Sequence, residues 1–186
     1  MTTAKIIDVH CHCTLQRFRT AVLEGGTDWH GMTAADGELG NPKNLWDVGK
    51  RLETMDELRI DVQAVSPTDV FYQYDRPPDV TERIAQEANE EIAGMVRDHP
   101  DRFMGLGTLP MQDPERAVKE MVRGMGELGL TGFMIDDHVN GLTYDLDVFE
   151  PAWEAAEALG VPVGTAKSRL AAALVALRAD LGEEER

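Results

Sequence analysis

Two histidines, His10 and His12, stand two residues apart in the segment Lys5–His12, KIIDVHCH. Alternating apolar residues make that segment read as a β-strand. Side chains on a strand alternate faces, so both imidazoles point the same way. Neutral imidazole is a good ligand for zinc and similar divalent ions. The pair therefore reads as part of a metal site, with Asp8 just before it. The alternative is a pair of half-buried histidines bonded to backbone. Cys11 and Cys13 interleave with the histidines and so face the other side. There they read as small buried hydrophobes rather than as half of a Cys/His cage. Further along, Asp136, Asp137 and His138 follow a fourth apolar run. On a regular βα path they reach the same rim, where His138 is a candidate third ligand. The competing reading is a loop cap.

The elements that must position these groups alternate regularly. Apolar runs at Asp61–Pro67, Arg102–Pro110 and Gly132–Asp136 follow the first strand, and Val161–Val163 begins a fifth. Helical patterns lie between them. Leu52, Met55 and Leu58 recur at threes, and Ile84, Ala88, Ile92 and Met95 at threes and fours. Asp113 followed by Pro114 is a helix start, and Gly160 is a helix stop. Strands alternating with helices of this length predict βαβ units and a parallel sheet. The result is either an open doubly wound sheet or part of a (β/α)8 barrel. In a barrel, catalytic groups sit at the strands' C-terminal ends, where His10 and His12 lie. Thr14–Asn44 is glycine-rich and without clear period, and reads as a long excursion.

Composition narrows the function. The 186 residues include 34 acidic and 18 basic side chains, a formal charge of −16. Phosphate repels such a balance, which argues against broad nucleic-acid affinity. No apolar run approaches the ~18 residues of a membrane span, and the start does not read as a signal peptide. Two cysteines bracketing a histidine fit a reducing compartment, and the expected location is cytoplasmic. The charge excess ends near Val163, where the chain turns rich in alanine and leucine.

Residues 5–162 resemble the amidohydrolase superfamily, in the branch related to aminocarboxymuconate-semialdehyde decarboxylase. Four segments carry the likeness in order: IIDVHCHC, RLETMDELRIDVQAVSP, HPDRFMGLGTLPMQDPERAVKEM and GFMIDDHVNGLTYDLDVFEPAWEAAEALGVPV. The resemblance implies a divalent metal, commonly zinc, held by His10 and His12. Relatives add a histidine after strand five and an aspartate after strand eight. It also implies that Arg51 contacts a substrate carboxylate, a task suited to a guanidinium fork. The implied work is decarboxylation or hydrolysis of a small carboxylate-bearing substrate. No histidine follows His138. The expected architecture is thus an incomplete barrel of four to five βα units with an amphipathic C-terminal helix. Its uncovered strand edges favour self-association. Residues 160–182 resemble the last helix-turn-helix of extracytoplasmic-function sigma factors, with Lys167, Ser168 and Arg169 in the first turns. This divides the chain at 162/163 and suggests a truncated or hybrid form. It leaves a DNA-binding regulatory fragment as the alternative function, which the acidic balance opposes.

Overall fold

A computed structural model describes residues 5–34 and 47–160. Four strands, β1 (Ile7–Cys13), β2 (Val62–Pro67), β3 (Phe103–Gly107) and β4 (Gly132–Phe133), form one parallel sheet in the order β1-β2-β3-β4. Helices α2 (Val48–Leu58), α3 (Pro78–Asp98) and α4 (Pro114–Gly126) make the crossovers, and α5 (Glu150–Ala158) follows β4. The expected α/β class stands: four parallel strands with helical crossovers repeat the βα unit from which (β/α)8 barrels are built. Among the described residues, β1 and β4 are both edges. The fifth strand and the C-terminal helix expected from sequence fall outside the described residues, as does any structural check on the 162/163 boundary.

Local chemistry explains the elements. Asp113 caps α4 by accepting the Arg116 N–H at 3.2 Å, with Pro114 opening the first turn. Asp47 caps α2 through the Lys50 N–H at 3.1 Å. Strand β2 is buried along its whole length, as a central parallel strand must be. On the helical side of the sheet, Cys13, Met55, Val65, Ile92, Phe103 and Leu130 pack into one cluster. Each such side chain contributes roughly 1.5–3 kcal/mol when fully buried. Gly107 lets α3 approach β3: a Cβ there would lie 2.5 Å from Asn89 Oδ1. Asn89 uses that closeness to accept the Thr108 N–H at 2.7 Å and donate to the Thr108 carbonyl at 2.9 Å.

Two expectations are corrected. The stretch after β1 is not wholly irregular: Gln16–Phe18 (α1) is helical and runs into a π-helical turn at Arg19–Glu24. Phe18, Val22, Trp29 and Met32 anchor it on Phe71, Ile84 and Ala88. Strand β4 has two residues rather than five, and pairs with β3. Beyond Phe133 only one further backbone bond, Met134 N–H to the Gly107 carbonyl at 2.8 Å, continues the ladder.

The opposite side of the sheet is exposed at β1 and β3. Phe103 and Gly105 face α3, so Met104 between them points away and stays 36% exposed. On β1, Ile7 and Val9 are 47% and 70% exposed. His12 pairs with Ser66 in register, on this same open side. Among the described residues, no helix is long and apolar enough to cross a membrane.

Candidate metal centre

His10 and His12 converge. Their Nε2 atoms are 3.0 Å apart, with ring centroids 4.9 Å apart and planes at 89°. Two nitrogens each about 2.0–2.1 Å from one ion, at tetrahedral or right-angle positions, lie about 2.9–3.4 Å apart. The observed spacing fits that arrangement. His12 Nδ1 lies 2.8 Å from the hydroxyl of Ser66, which is 1% exposed. A proton on Nδ1 donated to that oxygen leaves the Nε2 lone pair directed at the shared position. Ligating histidines are oriented by such a partner on the other ring nitrogen. His10 is exposed and His12 half-buried, so the position is open to solvent.

A bulge falls in the same stretch of β1. Asp8 pairs with Gln63 and Cys11 with Val65, so three steps along β1 answer two along β2. The displaced backbone is held from beneath. Asp8 Oδ1 accepts the His10 N–H at 3.2 Å, and Asp8 Oδ2 accepts from Gln63 Nε2 at 3.1 Å. Gln63 Oε1 accepts from Arg51 Nη1 at 3.2 Å, and Arg51 Nη2 donates to the His12 carbonyl at 2.8 Å. One hydrogen-bonded path thus reaches the backbone of both histidines.

That path runs through Arg51. The resemblance made it a carboxylate grip, which needs a guanidinium presented to a cavity. Here Arg51 is 4% exposed and directs its fork at Gln63 and at the end of β1. Its observed work is to hold the strand that carries the histidines. His138, the candidate third ligand, stands further along the sheet. His138 follows β4, at the other edge of the sheet. Three strand spacings, about 14 Å, separate those edges. Among the described residues, the group of three that gathers is Asp136, Asp137 and His138. His138 Nδ1 lies 2.6 Å from Asp137 Oδ1, and that carboxylate raises the imidazole's pKa while its own falls.

Cys11 and Cys13 face away from the imidazoles, as the alternation requires. Cys13 is 1% exposed, and Cys11 Sγ donates to the Ala64 carbonyl at 3.1 Å. Burial pushes both thiols up to about 12. At pH 8 about one thiol in ten thousand is then ionised, and alkylation needs the thiolate. Iodoacetamide should leave both cysteines unmodified in the native protein at pH 8. Rapid labelling of either, read by mass spectrometry, would contradict this environment.

Ser66 and Gln63 escaped the sequence reading. The available signal was two polar side chains within the otherwise apolar strand DVQAVSP. Their roles needed the β1–β2 register, which places Gln63 opposite Asp8 and Ser66 opposite His12. Trp29 and His30, in the excursion after β1, both bind Glu87 on α3, at 3.1 and 2.9 Å.

Residues 7–181 match the family model described as amidohydrolase. The chain belongs to the amidohydrolase family. The match passes the 162/163 division and takes in most of the stretch likened to a sigma factor; that likeness has no support from these comparisons. The chain is 38% identical over 120 residues to 2-amino-3-carboxymuconate-6-semialdehyde decarboxylase of Dictyostelium discoideum, covering 64% of this chain and 33% of that protein. It is also similar to the crystal structure of 5-carboxyvanillate decarboxylase from Sphingomonas paucimobilis. There the TM-score is 0.70 and the identity 31%, covering 85% of this chain and 50% of that one. Dihydroxybenzoic acid decarboxylase from Polaromonas sp. JS666, solved with bound manganese and 2-nitroresorcinol, gives a TM-score of 0.67 at 28% identity. That match covers 86% of this chain and 48% of the other. The chain therefore spans about a third of the curated relative and half of these solved ones.

Proposed function

We propose that this chain supplies the strand-one side of a metal-dependent, non-oxidative decarboxylase acting on a small aromatic carboxylate. The observation that carries the reading is the 3.0 Å approach of His10 and His12 Nε2 at the end of the first strand. The decarboxylase names of the relatives support it, because the solved ones share the fold over 85–86% of this chain. His10 and His12 would hold a divalent cation. Zinc suits imidazole, and manganese is the ion in the related structure. When bound, such an ion supplies Lewis-acid polarisation of oxygen. The chain's own residues supply the rest. Ser66 fixes the His12 tautomer, and the Arg51–Gln63–Asp8 path fixes both strand residues. In the reaction the bond from ring carbon to carboxylate breaks, carbon dioxide leaves, and the carbon takes a proton.

The test is carbon dioxide release from 2,6-dihydroxybenzoate and from 5-carboxyvanillate by the 186-residue protein loaded with manganese or zinc. Turnover that disappears in His10→Ala/His12→Ala is the expected result. A cation bound between the two histidines with no turnover of either acid would count against the decarboxylase reading.

The open sheet face bears on the working assembly. Ile7, Val9 and Met104 leave apolar surface on a sheet whose two edges are unpaired among the described residues. Such surfaces associate. Under this proposal the chain forms dimers or larger species through that face, and Val9→Lys shifts it towards monomer in sedimentation velocity. A monomer at tens of micromolar would contradict self-association. The DNA-binding alternative rests on residues outside those described and gains nothing from the fold.

A further inference from the structure

The chain carries five histidines. His30 is held by Glu87, His99 precedes β3 at the opposite end of the sheet, and His138 follows β4. No third imidazole of the same chain therefore stands beside His10 and His12. Among the described residues, no carboxylate or thiol completes a group of three with them, because the one such group lies after β4. Zinc is held tetrahedrally by four ligands. The pair supplies two of them.

Three observations fit a second copy of the chain as the source of the other two. The pair is presented outward: His10 is exposed, and β1 is an edge strand among the described residues. The 3.0 Å spacing of the Nε2 atoms is the same in every copy. A two-fold axis through the ion thus brings an identical pair to the two remaining positions. Apolar surface also lies beside the pair. Ile7 pairs with Val62 and His12 with Ser66, an even number of residues apart on β2, so Ile7 and His12 share a side of the sheet. Ile6, Ile7 and Val9 are 54%, 47% and 70% exposed. Two copies meeting at the ion bury this surface against itself. The formal charge of −16 on each chain opposes the approach, and a shared cation offsets that repulsion where the copies meet.

We propose that two copies of this chain share one zinc ion through His10 and His12 of each. The inference rests on the cation reading of that pair and names the partner of the same site. Four imidazoles leave the ion without an open position, which is the arrangement of structural rather than catalytic zinc. The shared-ion dimer is thus a resting form, separate from the turnover proposed above.

The experiment titrates the chelator-stripped 186-residue protein with zinc chloride and follows it by sedimentation velocity. Zinc should strengthen dimerisation by about tenfold or more, with a break at one ion per two chains, and a chelator should reverse it. X-ray absorption at the zinc edge should count four imidazole nitrogens at about 2.0–2.1 Å. His10→Ala and His12→Ala should each remove the zinc dependence, whereas His138→Ala should leave it unchanged. His10 is exposed, so its substitution leaves the core untouched. One zinc per chain on a monomer overturns the shared ion and leaves the cation and decarboxylase readings standing. A dimer whose strength ignores zinc overturns it too. Zinc binding that survives in His10→Ala/His12→Ala overturns the cation reading itself, and the shared ion with it.

Discussion

His12→Ala is expected to cost the protein its cation at the end of β1. The ring supplies one of two converging nitrogens, and its loss leaves His10 alone at an exposed position. Outer partners of metal ligands typically matter by about 10–100-fold in affinity, so removing the ligand itself should cost about a hundredfold or more. Ser66→Ala should fall within the smaller range, because the imidazole stays but loses the hydroxyl 2.8 Å from its Nδ1. The order of effects is informative. If Ser66→Ala weakened zinc or manganese binding as much as His12→Ala, with folding intact, the hydroxyl would be doing more than fixing the ring. If His12→Ala bound as tightly as the parent in a calorimetric titration, the pair would not be the site.

The second large effect concerns stability. Glu120 on α4 has a side chain only 1% exposed. Its carboxylate accepts from Arg123 Nη2 and Nε at 2.8 and 2.9 Å and from Asn89 Nδ2 at 2.7 Å. Asn89 in turn holds Thr108 at the end of β3. The network therefore ties α4 to α3 and to the sheet, and Glu120 raises the pKa of Arg123. Arg123→Leu leaves a buried carboxylate without its cation, which costs about 3–5 kcal/mol. Urea unfolding should show that loss as a lower midpoint. Replacing Glu120 and Arg123 together by leucine should cost clearly less than Arg123→Leu alone, because no unpaired charge then remains. Equal losses in the single and double variants would show that the ion pair is not what the single variant breaks.

Much of this arrangement was legible in the residues. The threes and fours of Ile84, Ala88, Ile92 and Met95 marked α3, and all four are buried in it. Asp113 and Pro114 marked the start of α4, and Gly160, at φ 76°, the end of α5. The His-x-His spacing gave a shared face and hence the candidate site. What escaped depends on contacts distant in sequence. The bulge between Asp8 and Cys11 needs the β2 partner to be known, and no residue in IIDVHCHC announces it. Arg51 read as a carboxylate contact through the resemblance alone. Its burial follows from Gln63 and the His12 carbonyl, 12 and 39 residues away. His138 shared a rim with His10 and His12 in the βα scheme, but the scheme does not say how far apart along the rim two strand ends lie. The π-helical turn at Arg19–Glu24 was hidden because its side chains do not repeat at 3.6 residues.

The convergence of His10 and His12 on one ion is tested most directly by anomalous X-ray scattering. Crystals of the 186-residue protein grown with zinc or manganese would be measured at that metal's absorption edge. A peak is expected between the two Nε2 atoms, about 2.0–2.2 Å from each. A metal found elsewhere in the same crystal, with those two nitrogens bonded only to each other, would contradict the site from which the enzymatic reading is built.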